Sequence, residues 1–290
     1  MPETRSLLIG GEQLAASDGR TADDLNPHTG EVFARVAAAS PSDVAKAVTA
    51  ASDAFPAWST TPPTQRRRIL NRAADLLEER GEAAAALMAQ ETGGTFGWSL
   101  FNVGLASSMF REAAALVTSP LGEVIAGDNP DALSLAIRQP AGVVAAFAPW
   151  NAPIILGARA VAAPLAVGNT VVVKASEDAP LACALFLAEV LTDAGLPPGV
   201  LNVLTNDRRD AAAVAEALIS DRRVRRVNFT GSTGVGRRIG ELAARHLTPA
   251  VLELGGKNSV LVLEDADLEY AVNAVAFAAY MNSGQICMSA

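Results

Sequence analysis

The chain has 290 residues, 50% of them hydrophobic and 19% charged, enough apolar material for a real core and too much for a disordered chain. Lys+Arg number 23 against Asp+Glu 31, a net charge of −8 that argues against general binding to nucleic acid or anionic membranes. The length fits one large domain or two ordinary ones.

Residues 7–36 read as short strands and turns, with Gly10-Gly11 and Asn26-Pro27 as breakers. Ser40-Pro41 predicts a helix start, a cap residue followed by Pro at the first helical position. A second helix is predicted from Pro63 through Leu70, Leu76, Leu77 and Leu87, ended by Gly93-Gly94, and a third over 95–118. Residues 120–139 predict a hairpin. Leu121, Val124 and Ile125, then Leu133, Leu135 and Ile137, bracket the turn Gly127-Asp128-Asn129-Pro130-Asp131. Alternation on its second arm predicts that one face is exposed or covers a partner.

From residue 142 strands and helices alternate: strand 142–148, helix 153–167, strand 170–174, helix 180–194, strand 200–204 and helix 210–219. Strand 225–230, helix 233–246, strands 250–254 and 259–263, and a helix from Ala266 to about Met281 follow. Continuous apolar runs such as Val171-Val172-Val173 fit strands buried on both faces. The pattern predicts a doubly wound α/β domain on a parallel sheet, with ligands beyond the carboxyl ends of its strands. Gln139 to Ala158 carries no charge, yet Gly142, Pro149, Asn151, Pro153 and Gly157 make it strand, turn and helix rather than a membrane span. Met1-Pro2-Glu3-Thr4-Arg5 does not open a signal peptide. Two cysteines form no disulfide framework, and a reduced cytoplasmic setting is the default.

Five short motifs can carry chemistry. Phe229-Thr230-Gly231-Ser232-Thr233-Gly234-Val235-Gly236 follows a strand and opens a helix, so it is either a pyrophosphate cradle or an ordinary capped helix start. Lys174-Ala175-Ser176-Glu177 ends a strand, where the pair could bind a ribose or simply neutralise itself. Glu177 would repel a 2′-phosphate, which favours NAD over NADP. Asn151, in Pro149-Trp150-Asn151, could donate its amide to an oxyanion or cap the next helix. Glu253, before Leu254-Gly255-Gly256-Lys257, could be a swinging general base or a surface carboxylate. Cys287, in Gly284-Gln285-Ile286-Cys287-Met288-Ser289, could be a nucleophile or an inert thiol. Cys183 lies among Leu181, Leu185 and Leu187 and reads as core. His28 sits in a turn and His246 at a helix end, both structural. The widely separated Cys and His residues predict no metal site.

Taken together and in this order, the five motifs resemble the NAD(P)-dependent aldehyde dehydrogenases. The likeness runs over essentially the whole chain, from Asn26-Pro27 and Thr29-Gly30-Glu31 to Cys287. It implies Cys287 as nucleophile, Asn151 as oxyanion donor and Glu253 as the base that activates the deacylating water. It implies Lys174 and Glu177 at the adenosine ribose, Phe229, Gly231, Ser232 and Val235 at the pyrophosphate, and Trp150, Leu254 and Gly255 at the nicotinamide. NAD in preference to NADP, a small-molecule aldehyde and a homodimer or homotetramer assembled through the 120–139 arm follow from the same likeness. Residues 1–119 and 140–250 would form the NAD-binding domain, and 251–290 the start of a catalytic domain.

Ile137-Arg138-Gln139-Pro140 and the Cys287 segment are most similar to members that oxidise salicylaldehyde, vanillin and benzaldehyde. At helical spacing Ala152, Ile155 and Arg159 share a face just after Asn151. Small Ala152 would leave room for a flat ring, with Ile286 and Met288 beside it. Arg159 would either meet a polar ring substituent or pair with an acidic residue elsewhere. Trp98 and Phe101 are weaker candidates for the pocket wall. Members of the family continue well beyond their equivalent of Cys287, so the expectation is an N-terminal fragment, inactive alone. The competing expectation is a naturally short nucleotide-binding or assembly protein without catalysis.

Overall fold

The computed structural model describes residues 4–129 and 131–289. Residues 1–3 of the stretch read for a signal peptide, Pro130 of the hairpin turn and Ala290 lie outside the described residues. The chain opens with β1 (Thr4–Arg5), β2 (Leu7–Ile9), β3 (Glu12–Leu14), β4 (Thr21–Leu25) and β5 (Val32–Ala37). Helix α1 (Pro41–Ser59) starts where Ser40-Pro41 predicted. The Asp43 carboxylate accepts the Ser40 N–H at 2.9 Å, which satisfies a donor the helix itself cannot.

The helix predicted through Leu87 is two helices, α2 (Pro63–Glu79) and α3 (Gly81–Thr92). Arg80 leaves helical geometry at φ −98°, ψ 12°, and both helices then pack on α4 (Phe96–Leu116). Tertiary contact overrides a continuous leucine spacing. Gly93, in the left-handed region at φ 71°, ends α3.

The hairpin forms as predicted, β6 (Gly122–Ile125) pairing antiparallel with β7 (Ser134–Ile137). All eight strand residues are exposed, so neither face is covered within this chain.

The alternating half follows with β8 (Val143–Phe147), α5 (Pro153–Ala166) and β9 (Thr170–Lys174). A π-helical turn (Leu181–Leu185) runs into α6 (Phe186–Asp193), followed by β10 (Leu201–Leu204) and α7 (Ala211–Ser220). Then come β11 (Val224–Gly231), α8 (Thr233–Arg245), β12 (Ala250–Leu254) and α9 (Leu268–Tyr280). The predicted strand 259–263 is absent. Val260, Leu261, Val262 and Leu263 are exposed and have no ladder partner among the described residues. An apolar run becomes a strand only where a neighbour takes its hydrogen bonds.

The main sheet has the order β12-β11-β8-β9-β10-β2-β3. Strands β12 to β10 are parallel, whereas β2 joins β10 antiparallel with Val203 opposite Leu8. Alternate residues serve two cores. Val144, Ala146, Val171 and Val173 pack among α2 to α6. Val143, Ala145, Phe147 and Val172 pack with residues of α1, α7 and α8. Gly157 lets α5 touch the π-helical turn, because a Cβ there would lie 2.0 Å from the Cys183 carbonyl oxygen. Cys183 is buried as predicted, and burial pushes its thiol well above the ordinary range.

A buried acid of α3, Glu91, ties that helix to this turn beside a second buried acid, Asp24 of β4, and no local pattern announces either. Glu91 accepts the Leu181 and Ala182 N–H groups at 2.6 and 2.8 Å. Burial, then the nearby Asp24 charge, pushes Glu91 well above the usual carboxylate range. Burial also raises Asp24 from 3.8 to about 6, with Asp178 adding to the shift. An acid raised by folding contributes stability that is present below its unfolded value and is lost as pH rises through its folded value. Stability therefore falls as pH rises from about 4 through about 6, where Asp24 ionises in the folded chain, and the loss persists at higher pH. Asp24→Asn should lose less melting temperature than the natural chain between pH 5 and pH 7.5. An equal loss in both would show that Asp24 contributes nothing to the slope.

Candidate active site

The order of strands reverses between β8 and β11, and a crevice opens beyond their carboxyl ends. A groove of about 730 Å³ runs there, from Lys174 and Glu177 past Phe229 and Val235 to Trp150 and Ser232. At Trp150 and Ser232 it meets a second cleft of about 340 Å³, lined by Asn151, Glu253 and Cys287.

Lys174 is buried and forms an ion pair with Glu177, whose carboxylate also accepts from the Asn206 amide at 3.0 Å. Burial pushes Glu177 up, but the Lys174 ammonium and the Asn206 amide outweigh it and hold the carboxyl below its usual range. The pair is thus a fixed cation and anion at the end of β9. Ser232 caps α8, its hydroxyl accepting the Val235 N–H at 3.4 Å. A Cβ on Gly236 would lie 2.4 Å from the Leu254 side chain, so glycine lets α8 sit close to β12. A Cβ on Gly231 would lie 2.6 Å from the Phe229 ring, so glycine lets the backbone pass close to that ring, whereas a Cβ on Gly234 would meet nothing within 4 Å and the backbone there is open. These residues fit a dinucleotide: a helix N-terminus and open backbone for the pyrophosphate, and a charged pair for a ribose.

Cys287 is partly exposed on a loop that follows α9. The loop turns through left-handed residues, Asn282 at φ 48°, Ser283 at φ 57° and Gly284 at φ 75°. Several side chains hold it. Asn282 and the Trp98 indole each donate to the Asn151 carbonyl at 3.1 Å. Asn258 donates to the carbonyls of Cys287 and Ser289 at 3.4 and 3.2 Å. The Asn151 amide donates to the Gln285 carbonyl at 2.9 Å. An amide has two hydrogens, so one remains for another acceptor. Asn151 therefore orients itself on the cysteine loop rather than capping α5.

Glu253 is the penultimate residue of β12, opposite Thr230 in the β11 register. Arg159 of α5 reaches both, with Nη2 donating to Thr230 Oγ1 at 2.9 Å and Nη1 lying 3.7 Å from Glu253 Oε2. Arg159 thus pairs with an acid, one of its two expected roles, while it also lines the cleft.

Fourteen of the seventeen residues singled out border the groove or the cleft. Ala152 and Ile155 do not. Both are buried, and the helix turns Leu156 rather than Ile155 into the cleft. Met288 is exposed outside it, beyond Ile286 and Cys287, which do line it. Trp98 supports Asn151 from behind and stacks on Phe101 at 5.5 Å, so neither ring forms the cleft wall. Asn206, Asn258 and Asn282 escape sequence reasoning, because nothing local marks a polar residue whose partner lies 29 to 131 positions away.

A doubly wound sheet with such a groove at its point of reversal is a dinucleotide-binding fold. Residues 14–290 match the model of the aldehyde dehydrogenase family. A vanillin dehydrogenase from Pseudomonas sp. (strain HR199 / DSM 7063) is 59% identical over 98% of this chain and 58% of its own length. A salicylaldehyde dehydrogenase from Pseudomonas putida G7, crystallised with salicylaldehyde, superimposes with a TM-score of 0.96 at 43% identity, over 99% of this chain and 59% of that one. An E. coli NADP dependent enzyme superimposes with a TM-score of 0.95 at 35% identity, over 99% and 59%. The chain belongs to the aldehyde dehydrogenase family, whose members use NAD or NADP, and it spans about three-fifths of the length of these relatives.

Proposed function

We propose that the complete protein oxidises an aromatic aldehyde to its carboxylic acid with NAD. The observation that carries this reading is the convergence of Cys287, Asn151 and Glu253 on one cleft beside the dinucleotide groove. The Cys287 thiol gives its proton to water as its sulfur bonds to the aldehyde carbon and the C=O π electrons move onto the oxygen. The free Asn151 amide hydrogen and the Cys287 N–H hold the resulting oxyanion. NAD held beside Trp150, Leu254 and Gly255 would supply a hydride acceptor, and loss of the hydride from the former aldehyde carbon leaves a thioester on Cys287. Glu253 then takes a proton from water as the water oxygen bonds to the thioester carbon and the C–S bond breaks. Trp150, Leu254 and Gly255 would flank the nicotinamide, Phe229, Gly231, Ser232 and Val235 the pyrophosphate, and Lys174 and Glu177 the adenosine ribose. The anionic Glu177 favours a 2′-hydroxyl over a 2′-phosphate, hence NAD over NADP.

The aromatic preference rests on the vanillin and salicylaldehyde dehydrogenases at 59% and 43% identity. Residues 1–119 and 140–250 would be the NAD-binding domain and 251–290 the start of the catalytic domain. The exposed hairpin would assemble a homodimer or homotetramer, and a reducing cytoplasm would keep Cys287 a thiol. Turnover would require the part of the family's length that this chain does not span. NADH formation by the complete protein should favour vanillin, salicylaldehyde and benzaldehyde over a straight-chain aldehyde in kcat/KM, while the 290-residue chain alone stays silent. A preference for the straight-chain aldehyde would overturn the substrate assignment.

A further inference from the structure

We propose that Arg159 is a positioning residue for Glu253, a tether that keeps the carboxylate over the cleft while Cys287 is deacylated. The inference rests on the mechanistic reading above. Glu253 and Thr230 stand side by side because β11 and β12 pair in parallel at that register. Arg159 approaches from α5, on the next layer, and its planar fork spans both strand ends. Nη2 is anchored on Thr230 Oγ1 at 2.9 Å, which leaves Nη1 facing Glu253 Oε2 at 3.7 Å. One arm is thus a full hydrogen bond and the other a looser ion pair. That asymmetry suits a base that must stay near the cleft yet move to take a proton. Glu253 needs such help, since its side chain is 57% exposed and the two glycines after it, Gly255 and Gly256, leave its strand end free to swing. Arg159, Thr230, Glu253 and Cys287 line the same cleft, so the tether acts where the thioester forms. Arg159 supplies no proton and breaks no bond. Water still loses its proton to Glu253, and the Cys287 thiolate still leaves.

The test is a double-mutant cycle in the complete protein, read by pre-steady-state NADH formation. Arg159→Gln should leave the first turnover fast and slow the steady state about ten-fold, so that a stoichiometric burst appears. Arg159→Lys should recover part of the loss. In a Glu253→Gln background, Arg159→Gln should add less than about two-fold, because the tether has nothing left to hold. Losses that multiply across the cycle would overturn the proposal. So would an effect confined to KM for 2-hydroxylated benzaldehydes, which would make Arg159 a substrate contact. If Glu253→Gln itself turns over at the natural rate, the mechanistic reading fails and the tether with it. If Glu253→Gln is slow and Arg159→Gln is not, the tether alone fails.

Discussion

Cys287→Ala in the complete protein should lower aldehyde oxidation by about 10⁴-fold or more while NAD still binds. Without the sulfur no covalent bond forms to the aldehyde carbon, and the oxidation must proceed on a hydrated aldehyde in one step. A 10⁴-fold loss corresponds to about 5.5 kcal/mol of transition-state stabilisation. NAD affinity should survive because Cys287 lines the 340 Å³ cleft and not the 730 Å³ groove where Lys174, Glu177 and Val235 lie. The substitution removes one partly exposed sulfur, and the contacts that hold the loop use the carbonyls of Gln285, Cys287 and Ser289, which alanine keeps. Titration of cofactor binding by fluorescence, beside NADH formation, separates the two effects. Activity within about ten-fold of the natural enzyme would remove Cys287 from the chemistry.

The second large effect belongs to Glu253→Gln. The substitution preserves shape and removes the charge, so the strand end and its register with Thr230 should stand. Loss of a general base typically costs about 10²- to 10⁴-fold. Only the second half of the reaction should suffer. In the proposed mechanism hydride transfer depends on Cys287 and Asn151 and not on Glu253, so the first turnover should release NADH at the natural rate, one equivalent per site, before a slow steady state. A missing burst with intact NAD affinity would place Glu253 before the thioester. A missing burst with lost NAD affinity would make the residue structural, since Glu253 sits beside the junction of cleft and groove.

The amino-acid sequence alone points to both substitutions, and the reason is physical. Ser40-Pro41, Gly93 and Ser232 mark helix ends because caps satisfy backbone groups within three residues. Val143–Phe147 and Thr170–Lys174 announce doubly buried strands because every residue in them is buried and their valines and alanines face a core on either side. Strand ends then deliver Pro149-Trp150-Asn151, Lys174 and Glu253 to one edge of the sheet, since a parallel sheet aligns all its carboxyl ends. Local chemistry is thus enough to find the edge and the residues on it.

It is not enough for contacts made across the fold. The run through Leu87 reads as one helix until α4 is there to break it at Arg80. Val260 to Leu263 read as a strand, yet a strand needs a partner to take its hydrogen bonds, and no sequence window contains the partner. Ile155 belongs on the cleft face by spacing from Asn151, but the packing of α5 against the core decides that Leu156 faces the cleft instead. Asp24 and Glu91 meet in the interior although nothing near either announces a buried acid. What the residues determined alone was periodic and local: caps, strand burial, and the order of the chemical motifs. What only the tertiary structure decided was who meets whom. Arg159 and Thr230 lie 71 positions apart, and their bond to a shared strand edge depends on how a helix layer settles on a sheet.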